Sequence, residues 1–238
     1  LRVSHVLEGS VRKTGAWLHI NAQLIDMRSD SHVWAKQYDG DLKDLFTIQS
    51  EIAKNIAEQL HAKLSPAEKL AIEQPPTADL TAFSLYSRAK SLFLSSPFGT
   101  TARANLLEAA DLSNQAVVHD PSFFQAYCQL AWIHDLLYCL GFDHTPARVA
   151  LAETAIQAAF RLRPNAGEAH LAHAAHLYRA KLDYQPAIAE LEIARQTLPG
   201  DARIFELKGY IEESQGHSTQ SIRSLEQAID LAIESDQG

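Results

Sequence analysis

The stretch from Pro164 to Pro199, PNAGEAHLAHAAHLYRAKLDYQPAIAELEIARQTLP, decides the fold. Its alanines recur at three- and four-residue steps on either side of Leu182-Asp183, which predicts one helix over 166–181 and a second over 184–197. Pro164 and Pro199 each stop a helical pattern and lie 35 residues apart, and Pro121 closes an earlier stretch in the same way. Working outward from this pair, the periodicity predicts eight helices, over 80–95, 103–119, 122–140, 146–162, 166–181, 184–197, 201–215 and 218–235. They pair into four antiparallel hairpins. One such hairpin cannot bury its apolar stripe alone, so the hairpins must stack.

Composition sets the bounds. With 238 residues, 46% of them hydrophobic, the chain can bury a core in one or two domains. The net charge of −8 sits in the helical part: residues 1–64 carry 8 basic and 8 acidic side chains, and residues 65–238 carry 13 and 21. An acidic surface repels phosphate backbones, which argues against direct nucleic-acid binding. Cys128 and Cys139 fall in one predicted helix, about 16 Å apart and out of disulfide reach. No apolar run is long enough to span a membrane, and no signal segment opens the chain. Because it opens at Leu1 without a methionine, the chain reads as a fragment with segments upstream. The absence of a polar capping helix before Gly238 predicts further repeats downstream.

The first 64 residues have strand character. His5–Thr14, Ala16–Met27 and Ser31–Tyr38 form a predicted three-stranded meander, with Leu18, Ile20, Ala22 and Leu24 alternating against polar neighbours. Leu45, Ile48, Ile52, Ile56 and Leu60 then mark an amphipathic helix that Asp41 or Asp44 can cap. The opening strand would be an unprotected edge, so residues upstream are expected to complete the sheet. Residues 65–79 read as a linker, with Ser65-Pro66, a short helix over Ala67–Glu73, and Pro75-Pro76. Four blocks in order, HVLEGSVR from His5, AQLID from Ala22, HVWA with Tyr38-Asp39, and DLF from Asp44 followed by QSEI from Gln49, resemble the C-terminal half of a TolB-like N-terminal domain. That resemblance covers roughly residues 3–64. It implies a regulatory or sensory module next to an output domain, whether a class III adenylate cyclase, a winged-helix DNA-binding domain or a serine/threonine kinase. It brings no catalytic residue with it.

The helical array resembles tetratricopeptide repeats. Leu171, Ala175, Tyr178, Ala187, Leu191, Ala194 and Pro199 stand in that family's order, and Phe205, Gly209, Ile222, Leu225 and Ala228 follow 34 residues on. The two earlier repeats carry extra residues around Ser95–Thr101 and Gly141–Thr145, read as surface insertions. The fold class expected is therefore mainly α: a tetratricopeptide-like α-solenoid of four helical hairpins over 80–238, preceded by a small, partial α/β domain.

That resemblance also implies a concave groove lined by the first helix of each repeat, which holds a partner segment. Carried over position by position, it gives Phe83, Tyr86, Lys90 and Phe93 from the first repeat, and Gln125, Cys128, Trp132 and Asp135 from the second. His176 and Arg179 come from the third, and Arg203, Glu206, Tyr210 and Glu213 from the fourth. Aromatic residues interleaved with charge suit an amphipathic partner. The groove lacks the dense Lys/Arg/Asn set that clamps a C-terminal carboxylate.

His170, His173 and His176 are the most enzyme-like feature, since two imidazoles three residues apart on one helix face can hold zinc. No HExxH spacing completes such a site, and partly exposed neutral histidines are the expectation. Glu190, Glu192, Glu212 and Glu213 read as a solvated helix face. The chain carries no phosphate-binding glycine loop, no GxSxG elbow and no cysteine zinc set, and no cofactor is expected. The expected function is non-catalytic: protein interaction and signal relay within a larger bacterial regulator, the partner being a protein, a peptide or the chain's own output domain. The alternatives are the regulatory part of a cyclase or kinase, and a periplasmic sensor region. Cytoplasmic placement is expected, or periplasmic if a membrane span lies upstream.

Overall fold

The computed structural model describes residues 4–61, 69, 72–95 and 99–236, of which 234–236 are given in backbone only. The expectations for Ser65-Pro66 and for most of Ala67–Glu73 lie outside the described residues; Lys69, Ile72 and Glu73 are helical. Two compact units make up the chain, Leu1–Pro75 with Ile233–Gly238, and Pro76–Ala232.

In the first unit, β1 (His5–Thr14), β2 (Trp17–Asp26) and β3 (Ser31–Asp41) form an antiparallel sheet in the order β1-β2-β3. Thr14 pairs with Trp17 across the two-residue turn Gly15-Ala16, and Gly15 has φ +62, which a tight hairpin requires at that position. The third strand runs past Tyr38 to Asp41, because Asp39, Gly40 and Asp41 find partners in His19, Leu18 and Trp17. Asp41 and Asp44 cap each other reciprocally over the short turn Leu42–Asp44, which leads into α1 (Leu45–Gln59). Leu18, Ile20, Ala22 and Leu24 of β2 are buried, and Ile20 packs with Tyr38, Ile48 and Ile52 where α1 lies against β2 and β3. Leu7 and Val11 share that face with Leu24 and Ile20 but stay 46% and 66% exposed, and β1 is an edge among the described residues.

The second unit contains α2 (Leu80–Ser95), α3 (Ala102–His119), α4 (Phe124–Cys139), α5 (Pro146–Leu162), α6 (Gly167–His176), α7 (Tyr184–Thr197), α8 (Ala202–Ser214) and α9 (Ser218–Asp236) as far as Ala232. Successive helices pair as four hairpins. Alanines at the crossings, among them Ala89, Ala109, Ala131, Ala155, Ala172 and Ala175, are fully or almost fully buried, letting the helices approach closely. One large core joins α2 to α6 and a second joins α6 to α9, and Trp132 of α4 packs against both. α4 starts at Phe124 rather than at 122, because the Asp120 carboxylate accepts from both the amide and the hydroxyl of Ser122 and holds those residues in a turn.

The helix expected over 166–181 changes character in its last turn. Residues Leu177–Lys181 are π-helical, and Leu182 follows at φ +54. The Leu177 carbonyl accepts from the amides of Leu182 and Asp183. In α8 the matching carbonyl is that of Glu212, Gly216 takes the left-handed position and His217 donates. The third repeat thus holds one residue more between these points than the fourth, so Leu177 matches Glu212 at 35 residues before the turn closes and Leu182 matches Gly216 at 34 after it. A π turn absorbs a single inserted residue while keeping the helix continuous.

Candidate functional site: the faces of the first helices

The first helix of each hairpin, α2, α4, α6 and α8, carries the expected groove residues, and their surroundings differ. On α2, Phe83, Tyr86 and Phe93 are half-buried against the cores and Lys90 is exposed. The Tyr86 ring lies 4.9 Å from that of Phe123. On α4, Cys128 is buried among Phe124, Ala159 and Ala169, and burial pushes its thiol up to about 12, which leaves it unreactive. Gln125 is half-buried with its Oε1 atom unpartnered. On α8, Arg203 is gripped by Asp201 through Nε at 2.9 Å and Nη2 at 2.6 Å. The Tyr210 hydroxyl donates to Glu206 Oε1 at 2.8 Å, and burial followed by that bond raises the phenol to about 12. Glu206 and Glu213 are exposed.

Like Cys128, Asp135 and His176 are expected residues that are not surface groups. Asp135 is 0% exposed and His176 is 3% exposed, and Asp135 Oδ1 lies 2.8 Å from His176 Nδ1. His176 stands 35 residues before Ile211, which is fully buried, so the register places it in the core rather than on the groove. Burial raises the Asp135 carboxyl above the usual aspartate range, against the hydrogen bond from His176. Asp135 Oδ2 and His176 Nε2 remain unpartnered.

Beside this pair, the Arg179 guanidinium lies 4.4 Å from the centroid of the Trp132 ring, joining α4 to the π turn after α6. Burial lowers the pKa of Arg179 below its ordinary value, and Cys139, Asp135 and Glu206 act on its charge from nearby. Its Nη1 atom is buried without a partner. Tyr178, absent from the expected set, completes this patch: its hydroxyl lies 3.3 Å from the Tyr210 carbonyl and 3.1 Å from Ser214 Oγ. The signal for Tyr178 was its neighbour Arg179 in sequence; only the widened π turn brings both toward α8.

The histidine run is built differently from expectation. Glu190 of α7 is not a solvated carboxylate: its Oε2 is 2.6 Å from His170 Nδ1, and its Oε1 is 3.2 Å from His173 Nδ1, off the line of a hydrogen bond. Both imidazoles meet the Phe160 ring edge-on. Burial opposes ionisation of Glu190, yet His173 and His170 together hold its carboxyl below the usual glutamate range. No group of three or more His, Cys, Asp or Glu side chains is arranged to hold a metal ion among the described residues. The three histidines are joints: His170 and His173 tie α6 to α7, and His176 ties α6 to α4.

In the first unit, a shallow hollow of about 780 Å³ lies on the sheet, lined by Glu8, Ser10, Asn21, Gln23 and Gln37 among others. Its polar groups pair across strands, with Gln23 donating to Glu8 at 2.8 Å and Asn21 to Ser10 at 3.3 Å. No helix among the described residues is long and apolar enough to cross a membrane.

No family model matches the chain. Over 133 residues, 56% of its length, it is 33% identical to the protein named "Putative adenylate cyclase 3" of Rhizobium meliloti (strain 1021), and it spans 22% of that relative. Among solved structures it is similar to TTC0263, a thermophilic TPR protein of Thermus thermophilus, with TM-score 0.51 and 18% identity over 78% of this chain and 96% of that one. It also matches a crystal structure of MamA, with TM-score 0.42 and 18% identity over 68% of this chain and 84% of the other. The Thermus likeness and the four stacked hairpins together show a tetratricopeptide-like α-solenoid preceded by a small α/β part.

Proposed function

We propose that this chain is a non-catalytic protein-interaction and signal-relay region of a larger bacterial regulator, and that a partner segment binds across α2, α4, α6 and α8. The observation that carries this reading is the patch where Trp132, Arg179, Tyr178 and Tyr210 meet from three successive repeats, with the hydrogen-bonding capacity of Arg179 Nη1 unmet. Half-buried Trp132 and Tyr178 and exposed Tyr210, beside an unsatisfied guanidinium, have the composition of a binding surface. The domain reading keeps 1–64 as a TolB-like part, 65–79 as a linker and 80–238 as the repeats, supported by the order of the four sequence blocks. Cytoplasmic placement belongs to this proposal, with periplasmic placement as its alternative.

Charge reversal tests the groove. Arg179→Glu and Arg203→Glu should weaken binding of the partner or output domain at least tenfold while far-UV circular dichroism stays unchanged. Equal affinity in folded variants removes the groove from the reading.

A second reading is favoured by the 33% identity to a cyclase-named protein: the chain is the regulatory arm of an adenylate cyclase whose catalytic domain lies elsewhere. The chain alone should then form no cyclic AMP from ATP, and the same charge reversals in the whole protein should change the cyclase rate. Cyclase activity from residues 1–238 alone would defeat both readings.

A further inference from the structure

The groove residues carry several charges, and all but one of those at the centre of the patch already have a counterpart. Arg203 is held by Asp201 at two nitrogens. Glu206 accepts from Tyr210, and Asp135 from His176. Arg179 lies on the Trp132 face and forms no ion pair or hydrogen bond among the described residues, and its Nη1 is buried and unpartnered. A guanidinium removed from water without an acceptor is an expensive arrangement, and an incoming anionic oxygen relieves it.

Building on the groove reading above, we propose that Arg179, stacked on Trp132 and flanked by Tyr178 and Tyr210, is the receptor for one Asp or Glu side chain of the partner segment. The ring covers one face of the guanidinium, and the edge of the group is where a carboxylate makes its paired N–H···O contacts. The charge count selects a carboxylate over a phosphate. The exposed Glu206 carboxylate acts on Arg179 from nearby, so a doubly charged phosphate would meet more repulsion there than a single carboxylate. The aromatic flanks hold the stem of the acidic residue and exclude water, which strengthens the contact.

The test is a random peptide display library selected on the whole chain, with affinities of the winners measured by fluorescence polarisation. The expected result is enrichment of Asp or Glu at one position, with about tenfold or greater loss of affinity on Arg179→Gln and the same loss when that peptide residue becomes Gln or Asn. The two changes together should cost no more than either alone. If Arg179→Gln does not fold, the peptide substitution alone decides. Winners without an acidic position, or indifferent to both changes, overturn the carboxylate receptor; if Tyr86→Ala and Tyr210→Ala still weaken them, the groove itself stands. Winners unaffected by those tyrosine variants, or no winners at all, overturn the receptor and the groove together.

Discussion

Asp135 and His176 join the first helices of two successive repeats through one contact, Oδ1 to Nδ1 at 2.8 Å, with both side chains out of water. A buried polar pair of this kind contributes little net stability but is costly to break. Asp135→Leu or His176→Ile should each destabilise the chain by roughly 3 kcal/mol, because the remaining partner is left buried and unpaired. The double variant Asp135→Leu with His176→Ile should recover most of that loss, since the next repeat already places Ile211 at the matching position. Urea unfolding of the three variants gives the coupling; additive losses would show that the pair does not act as a unit.

His134, the residue before Asp135, makes the fold acid-sensitive. Burial and then the neighbouring Arg148 lower its pKa from 6.5 to about 4. Arg148 Nη1 lies 3.0 Å from His134 Nδ1 and can only donate, so Nδ1 is the acceptor and the proton of the neutral ring sits on Nε2. The unfolded chain takes up this proton near pH 6.5 and the folded chain only near 4. Its contribution is therefore complete above about pH 6.5 and falls by about 1.4 kcal/mol per pH unit below it, of order 3 kcal/mol in all. His134→Asn keeps an acceptor for Arg148 and cannot titrate, so it should flatten that part of the stability-against-pH curve. An unchanged slope would place the acid sensitivity elsewhere.

Leu182 occupies a left-handed turn position that Gly141 and Gly216 fill at the ends of α4 and α8. A side chain there costs about 1 kcal/mol or more, and Leu182 is exposed, so little packing offsets it. Leu182→Gly should stabilise the chain by about 0.5–1 kcal/mol, or about 2 °C in Tm, after the larger unfolded-state entropy of glycine is deducted. Leu182→Ala should give no gain.

Gly209 brings α8 against α9. A Cβ there would lie 2.7 Å from Leu225 Cγ and 3.3 Å from the Ser221 carbonyl. Gly209→Ala gains about 1 kcal/mol of helix propensity and loses about 1–3 to crowding, so destabilisation should win. Gly200, with nothing within 4 Å of an added Cβ, is the control: Gly200→Ala should be nearly silent in the same thermal melt.

Elements closed by proline or by a small polar residue were legible in the sequence, because such stops act locally. The helices over 80–95, 146–162 and 184–197 match their expected bounds. What the sequence hid depends on neighbours. A period of 3.6 cannot reveal that one extra residue in the third repeat becomes a π turn, nor that His176 then falls where Ile211 does. Glu190 looked like a solvated residue beside Glu192, since only the packing of α6 on α7 shows two imidazoles waiting for it. The third strand was expected to end at Tyr38 and runs on to Asp41, because its last residues are defined by pairing to β2 rather than by alternation.

Trp132 touches both large cores, and a stack of repeats holds together only as firmly as each repeat grips the next. This indole is one point at which the two halves of the array share cooperativity, beside α6 itself, which supplies residues to both cores. Trimming it to Leu should turn a single sharp melting transition into two, with the α6–α9 half unravelling while α2–α5 persists. The ring beneath Arg179 would then serve two ends at once, letting a partner seated on the guanidinium tighten the joint between halves that otherwise melt apart.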